Sequence, residues 1–294
     1  MNYKAFATCA LIVCSHAVRA QVLTDCDSIS TDAEWCEEVK ESPAKNLSTT
    51  FPLPRKVTTK EWLWGIGAAN LLDTYLSPLT YKGTNFALLH QTERLARWGR
   101  GRVTVKSHYD AHVCYAQSPT DDGKALDAEL TAAGGWHYNW PLSPRWRMGL
   151  GGLMELSEGF TYNTRNSNNP AQARLGASLL ASAVVAYRFP LFGRMGEASV
   201  EMSGQMLGIQ FAPNYGQSYY EIFSLGHNSG IIHFTNPANC PSARLLTMLT
   251  LPIKRANVSL GYMADVRQSK LGGLKRHAWR NCFMIGYTRY LKRL

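Results

Sequence analysis

Two groups of residues have types and spacings that chemistry could use. His227-Asn228-Ser229 sets an imidazole two positions before a hydroxyl. Serine is a poor nucleophile until an adjacent base takes its proton, and a third polar group then orients that base. Asn239 is the nearest candidate for the third role. The competing reading is structural, since Asn-Ser-Gly is ordinary turn chemistry. The second group is the row Lys106, His108, Asp110 and His112. Alternate residues of a strand share a face, so all four would project the same way. His108, Asp110 and His112 could ligate a transition metal, because imidazole and carboxylate suit several of them. The competing reading, an ion-pair network filling a barrel interior, is the favoured one. No metal or other cofactor is therefore expected.

Such a row needs a strand, and the body of the chain supplies strands. In Val103–Tyr115 the odd positions are mostly apolar, and the even ones run Thr104, Lys106, His108, Asp110, His112, Cys114. Leu126–Trp140 repeats the pattern, with Asp127, Glu129, Thr131, His137 and Asn139 on its polar face. Residues 146–156, 175–189, 198–206 and 258–266 follow the same period of two, which marks strands with one apolar and one polar face. These runs exceed the usual 5–6 residues of a soluble strand and reach the roughly 9–11 that a tilted membrane strand needs.

The connections alternate in the same way. Tight ones are read at 98–100, 143–145, 193–194, 228–230 and 254–255; loose, polar ones at 74–83, 117–125, 161–173, 213–217, 236–242 and 267–274. Outer-membrane barrels pair short periplasmic turns with longer external loops. Counting strands gives about twelve, with both ends periplasmic and His227 at a periplasmic turn. Trp62, Trp64, Trp98, Trp136, Trp140 and Trp146 lie near the tight turns, and Tyr75, Tyr81, Tyr162, Tyr215 and Tyr219 towards the loose ones. Aromatic rings settle at membrane interfaces, so two girdles are expected. The inward faces would then collect Lys106, His108, Asp110, His112, Asp127, Glu129, Arg147, Glu155, Arg174, Arg188, Glu197, Glu201, Asp265, Arg267 and Arg280 as a lumen charge network.

The first residues have another purpose. Lys4, the apolar run 5–14 and the small-residue pattern Val18-Arg19-Ala20 read as a cleaved secretory signal peptide, residues 1–20. Residues 21–58 form an acidic arm ending in Phe51-Pro52-Leu53-Pro54, whose alternate prolines enforce extended backbone. Cys26 and Cys36 in this arm are either bridged, as an oxidising compartment permits, or unpaired.

Composition narrows the classes further. The 294 residues carry a formal charge of +10, but residues 21–41 alone carry −6. The basic excess elsewhere is dispersed and lacks the dense runs of a nucleic-acid tail, so nucleic acid is not an expected partner. Hydrophobic residues make up 45% and aromatic ones 11%, too much for a disordered chain. No cysteine spacing reads as a zinc site and no phosphate-binding glycine loop is present.

Several stretches resemble a Bacteroidota family of exported outer-membrane β-barrels, domain-of-unknown-function family 3316. They are residues 72–79 (Leu-Asp-Thr-Tyr-Leu-Ser-Pro-Leu) with Tyr81-Lys82-Gly83, His233-Phe234-Thr235-Asn236-Pro237, Asp265-Val266-Arg267-Gln268-Ser269, and Phe283-Met284-Ile285-Gly286-Tyr287. The resemblance covers the body from about residue 61 and implies a barrel with no assigned reaction. Separately, His227-Asn228-Ser229 is similar to the His-x-Ser of outer-membrane phospholipase A and lipid A deacylases, which would make the chain a serine acyl hydrolase.

The expectation is thus an all-β, transmembrane antiparallel barrel over residues 59–294, exported to the bacterial outer membrane. A non-catalytic structural or accessory barrel ranks first, a narrow pore second and the hydrolase third. Expected partners are outer-membrane lipid and lipopolysaccharide, and a periplasmic or membrane protein met through the acidic arm.

Overall fold

The computed structural model describes residues 57–166, 169–191, 193–253 and 256–292. The expected leader, nearly all of the acidic arm, and Cys26 and Cys36 lie outside the described residues. Eleven strands follow in chain order: β1 (Val57–Asp73), β2 (Ser77–Leu95), β3 (Val103–Gln117), β4 (Lys124–Pro141), β5 (Trp146–Asn163), β6 (Ala171–Leu191), β7 (Arg194–Phe211), β8 (Ile232–Thr235), β9 (Ala243–Ile253), β10 (Ala256–Leu271) and β11 (Leu274–Lys292). One short helix, α1 (Tyr219–Phe223), sits between β7 and β8.

Ten of these strands close into an antiparallel barrel: β1 pairs with β2 and β11, β6 with β7, and β7 with β9. Closure leaves no free sheet edge around the ring. Paired residues followed once round the wall run from Trp279 through Val266, Ala243, Gly204, Ala181, Gly152, Trp136, Val105, Arg94 and Thr58 to Leu291. The stagger is therefore twelve residues, which for ten strands corresponds to a tilt of about 40°. β8 is an additional piece, paired with Gly208–Phe211 of β7 beyond the point where β9 leaves it.

The ten-stranded ring refines the expected twelve. The difference lies in one excursion over residues 212–242, where the helix α1 and the short added strand β8 stand in place of two strands of the ring. Ser218 accepts from the Glu221 backbone N–H while the Glu221 carboxylate accepts from the Ser218 N–H, a capping box that commits this stretch to helix. Two loose connections were also read too long. Strands run almost to the turn at Thr74–Leu76 and at Gly272-Gly273, where both glycines have positive φ (54° and 79°), the geometry of a two-residue hairpin turn. The asymmetry between the barrel's ends therefore rests mainly on residues 212–242.

The outward faces are apolar: Trp64, Ile66, Phe86, Leu88, Leu150, Met154, Leu175, Leu179, Phe283 and Ile285 are all exposed. An apolar band running round a closed barrel is the lipid-facing surface of a transmembrane β-barrel. At the chain-terminus end Trp64, Trp136, Trp140 and Trp146 lie exposed on strands, as a girdle requires. The tyrosine girdle needs correction. Tyr162 faces outward, but Tyr81 is buried inside, and Tyr75 lies in a turn with its hydroxyl donating to the Gln217 carbonyl at 2.9 Å. Tyr215 and Tyr219 belong to the excursion.

The stagger forces close backbone approach at some inward positions. A Cβ at Gly67 would collide with the Asn281 carbonyl, and one at Gly286 with that of Trp62, so both positions require glycine.

Candidate functional site

The barrel's interior is where polar chemistry concentrates, and its side chains brace the lumen rather than line it. On β3, Asp110 accepts from Arg244 at 2.9 Å, and the same guanidinium lies 2.7 Å from His108 Nε2. β3 and β9 stand five strands apart in a ring of ten, so this contact crosses the full diameter. Lys106 on β3 pairs with Glu201 on β7, and Arg267 on β10 holds Glu155 on β5 with both terminal guanidinium nitrogens. The contacts to these carboxylates are charge-assisted, and the bidentate Arg267–Glu155 pair is the strong type of its class.

Above the diametric brace, towards the excursion end, Arg174, Arg267, Arg276 and Arg280 face Asp127, Glu129, Glu155 and Asp265. Arg280 alone reaches Asp127 at 2.8 Å, Glu129 at 2.9 Å and Asp265 at 3.1 Å. Arg174 meets Asp127 at 2.7 Å and Arg276 meets Glu129 at 3.0 Å. Below it, Arg147 pairs with Glu93, Arg188 with Glu197 at 3.0 Å, and Glu61 is held by Gln91 and Thr288. Buried charges are tolerated when paired in this way and become costly when one partner is lost.

Beside the brace lies an apolar layer. Leu63, Ala87, Leu89, Leu246, Met248, Met263, Cys282 and Met284 point inward from β1, β2, β9, β10 and β11 and pack as one cluster. Leu153 and Leu180 are buried on the opposite wall. A small cavity of about 40 Å³ lies at the excursion end, walled by Ser157, Gly159, Gly176 and Ser178 against Arg174, Arg267 and Arg276. Another of about 40 Å³ lies at the terminus end, walled by Glu61, Glu93, Lys106, Arg147 and Glu201.

All fifteen residues assigned to the lumen network face the interior: Lys106, His108, Asp110, His112, Asp127, Glu129, Arg147, Glu155, Arg174, Arg188, Glu201, Asp265 and Arg280 are buried there, Glu197 and Arg267 nearly so. The pattern reading overlooked Glu61, Glu93, Arg244 and Arg276. Arg276 shares the parity of Arg280 on β11, and Glu61, Glu93 and Arg244 share that of the buried Leu63, Leu89 and Leu246 on β1, β2 and β9, so the same period of two points to them.

The metal candidates His108, Asp110 and His112 are close, with Asp110 oxygens 3.8 Å and 3.6 Å from the two imidazoles. Arg244 already fills the place of a cation beside His108 and Asp110, and among the described residues no group of three ligating side chains has metal-holding geometry.

His227 and Ser229 lie in the excursion, at the end opposite the chain termini, which corrects the expected periplasmic turn. They are held through their backbones: the His227 carbonyl accepts from Gln217 at 2.5 Å and the Ser229 carbonyl from Asn214 at 3.3 Å. Asn239 spends its amide on the Phe234 carbonyl and the Asn236 N–H. No hydrogen bond joins His227, Ser229 and Asn239 among the described residues.

A family model described as a protein of unknown function, DUF3316, matches residues 38–294. The chain belongs to the DUF3316 family. No curated protein matches it. Among solved structures, this DUF3316 chain is similar to the transport unit of the autotransporter AIDA-I from Escherichia coli, at 10% identity and a TM-score of 0.39, over 85% of this chain and 98% of that one. The beta domain of the Bordetella autotransporter BrkA matches at 14% identity and TM-score 0.39, over 79% and 99%. Ail, the attachment invasion locus protein of Yersinia pestis, matches at 9% and 0.29, over 78% and 97%. Likeness of this degree assigns no activity to the DUF3316 chain.

Proposed function

We propose that the chain is a non-catalytic outer-membrane barrel with a closed lumen, a structural or accessory element and not a conduit. The observation that carries this reading is the brace from Arg244 to Asp110 and His108 across the barrel's diameter. A passive channel needs a continuous water path; here opposed ion pairs and an adjoining apolar layer occupy its middle. The chain-terminus end is proposed to face the periplasm after removal of a signal peptide. Outer-leaflet lipid and lipopolysaccharide are its proposed surroundings, and the acidic arm is the proposed contact for a basic partner protein. The cavities at the two ends favour the pore as the second reading, since joining them would open one. Planar-bilayer recording on the refolded mature protein separates the two. Silence from a folded, inserted barrel is expected, and stepwise conductance would overturn the closed-lumen reading.

A further inference from the structure

The two rims of the barrel differ in charge. At the excursion end the signs are mixed, with Asp121, Asp122 and Glu221 among lysines and an Arg165–Asp122 pair at 2.8 Å. At the terminus end every outward or turn-borne charge among the described residues is a cation. Arg97, Arg100 and Arg102 stand exposed on the β2–β3 turn, Arg289 is exposed on β11, and Lys60 and Arg94 flank them on β1 and β2. Among the described residues the nearest carboxylates, Glu61, Glu93 and Glu197, point inward and are engaged there by Gln91, Arg147 and Arg188.

The cations of this rim adjoin the aromatic girdle: the Arg289 guanidinium lies 5.3 Å over the Tyr287 ring, and Arg102 donates to the Tyr138 hydroxyl at 3.2 Å. Aromatic girdles mark the headgroup level of a bilayer, so these charges lie at the depth of lipid phosphates.

We infer that the terminus-end rim binds anionic phospholipid headgroups of the leaflet it crosses, with the arginines acting as phosphate ligands. This rests on the chain spanning a membrane. Guanidinium groups suit phosphate because their planar donors can engage two oxygens at once, and each cation at an anionic surface adds to retention.

The test is native mass spectrometry of the mature protein released from nanodiscs of phosphatidylethanolamine mixed with phosphatidylglycerol. Preferential retention of phosphatidylglycerol is expected. R97Q/R100Q/R102Q/R289Q should lower that preference at least about tenfold, while K82Q/K124Q/K270Q/K275Q at the other rim should leave it unchanged. Equal retention of both lipids, or a preference that survives the four arginine changes, would overturn the inference. Rim-dependent binding of polyglutamate without lipid preference would instead assign the surface to an acidic polypeptide. A chain that fails to insert into nanodiscs would contradict the membrane reading, which distinguishes the two failures.

Discussion

Arg244 decides the most at the scale of single residues. Its guanidinium serves Asp110 and His108 from across the barrel, and both are buried. Arg244→Ala would leave the Asp110 carboxylate without the guanidinium that pairs with it, a change that costs about 3–5 kcal/mol in buried pairs. Asp110→Ala should cost less than that sum when combined with it, because the second change removes the stranded charge. A double-mutant cycle on denaturant unfolding from vesicles checks this, with a coupling of about 1–3 kcal/mol expected. Independent, additive losses would show that the brace carries little energy. The membership of this interior was legible from parity alone, and Arg244 was overlooked although it alternates with Leu246 and Met248. The pairing was not legible. Which residue meets which across a lumen depends on the stagger of the whole ring, and no local window of sequence contains it.

Among the elements, α1 is the instructive case. Ser218-Tyr219-Tyr220-Glu221 carries the capping-box spacing in plain view, yet its aromatic content reads as strand. The Ser218 N–H and hydroxyl hold the Glu221 carboxyl below its ordinary value. A carboxyl with a lowered folded value contributes stability that is fully present above its unfolded value and is lost as pH falls through the folded one. Hydrogen-exchange protection of residues 219–224 should therefore hold near neutrality and fall away below the ordinary glutamate range of about 4.3. Ser218→Ala should reduce protection at all pH values, by about 1 kcal/mol, and flatten that acid dependence. Protection unchanged by both pH and substitution would mean that tertiary contacts, such as Tyr219 with the Ala173 backbone, hold the helix unaided. The long barrel strands were legible because a two-residue period over 11 to 21 residues has no other interpretation. The four-residue β8 carries too little period to tell an added strand from a member of the ring.

For the whole molecule, closure of the ring and closure of the lumen are one fact. Ten strands at this stagger enclose a cylinder narrow enough for side chains from opposite walls to meet, which is why ion pairs form across it. The occlusion has two parts that fail differently. Arg244→Ser removes the diametric brace but leaves Leu63, Leu246, Met248 and Met263 packed beside it. Leu246→Ser with Met248→Ser wets the apolar layer but leaves the arginine bar in place. Neither change alone should conduct in planar bilayers, whereas the three together should join the terminus-end and excursion-end cavities and give stepwise conductance. Each replacement also removes buried packing, with truncations of this kind costing about 2–5 kcal/mol, so folding of every variant is checked by heat-modifiable migration before recording. Conductance from Arg244→Ser alone would locate the barrier wholly in the ion pairs. Silence from a folded triple variant would place it in the other cross-braces, Lys106–Glu201 and Arg267–Glu155, which remain intact in all three.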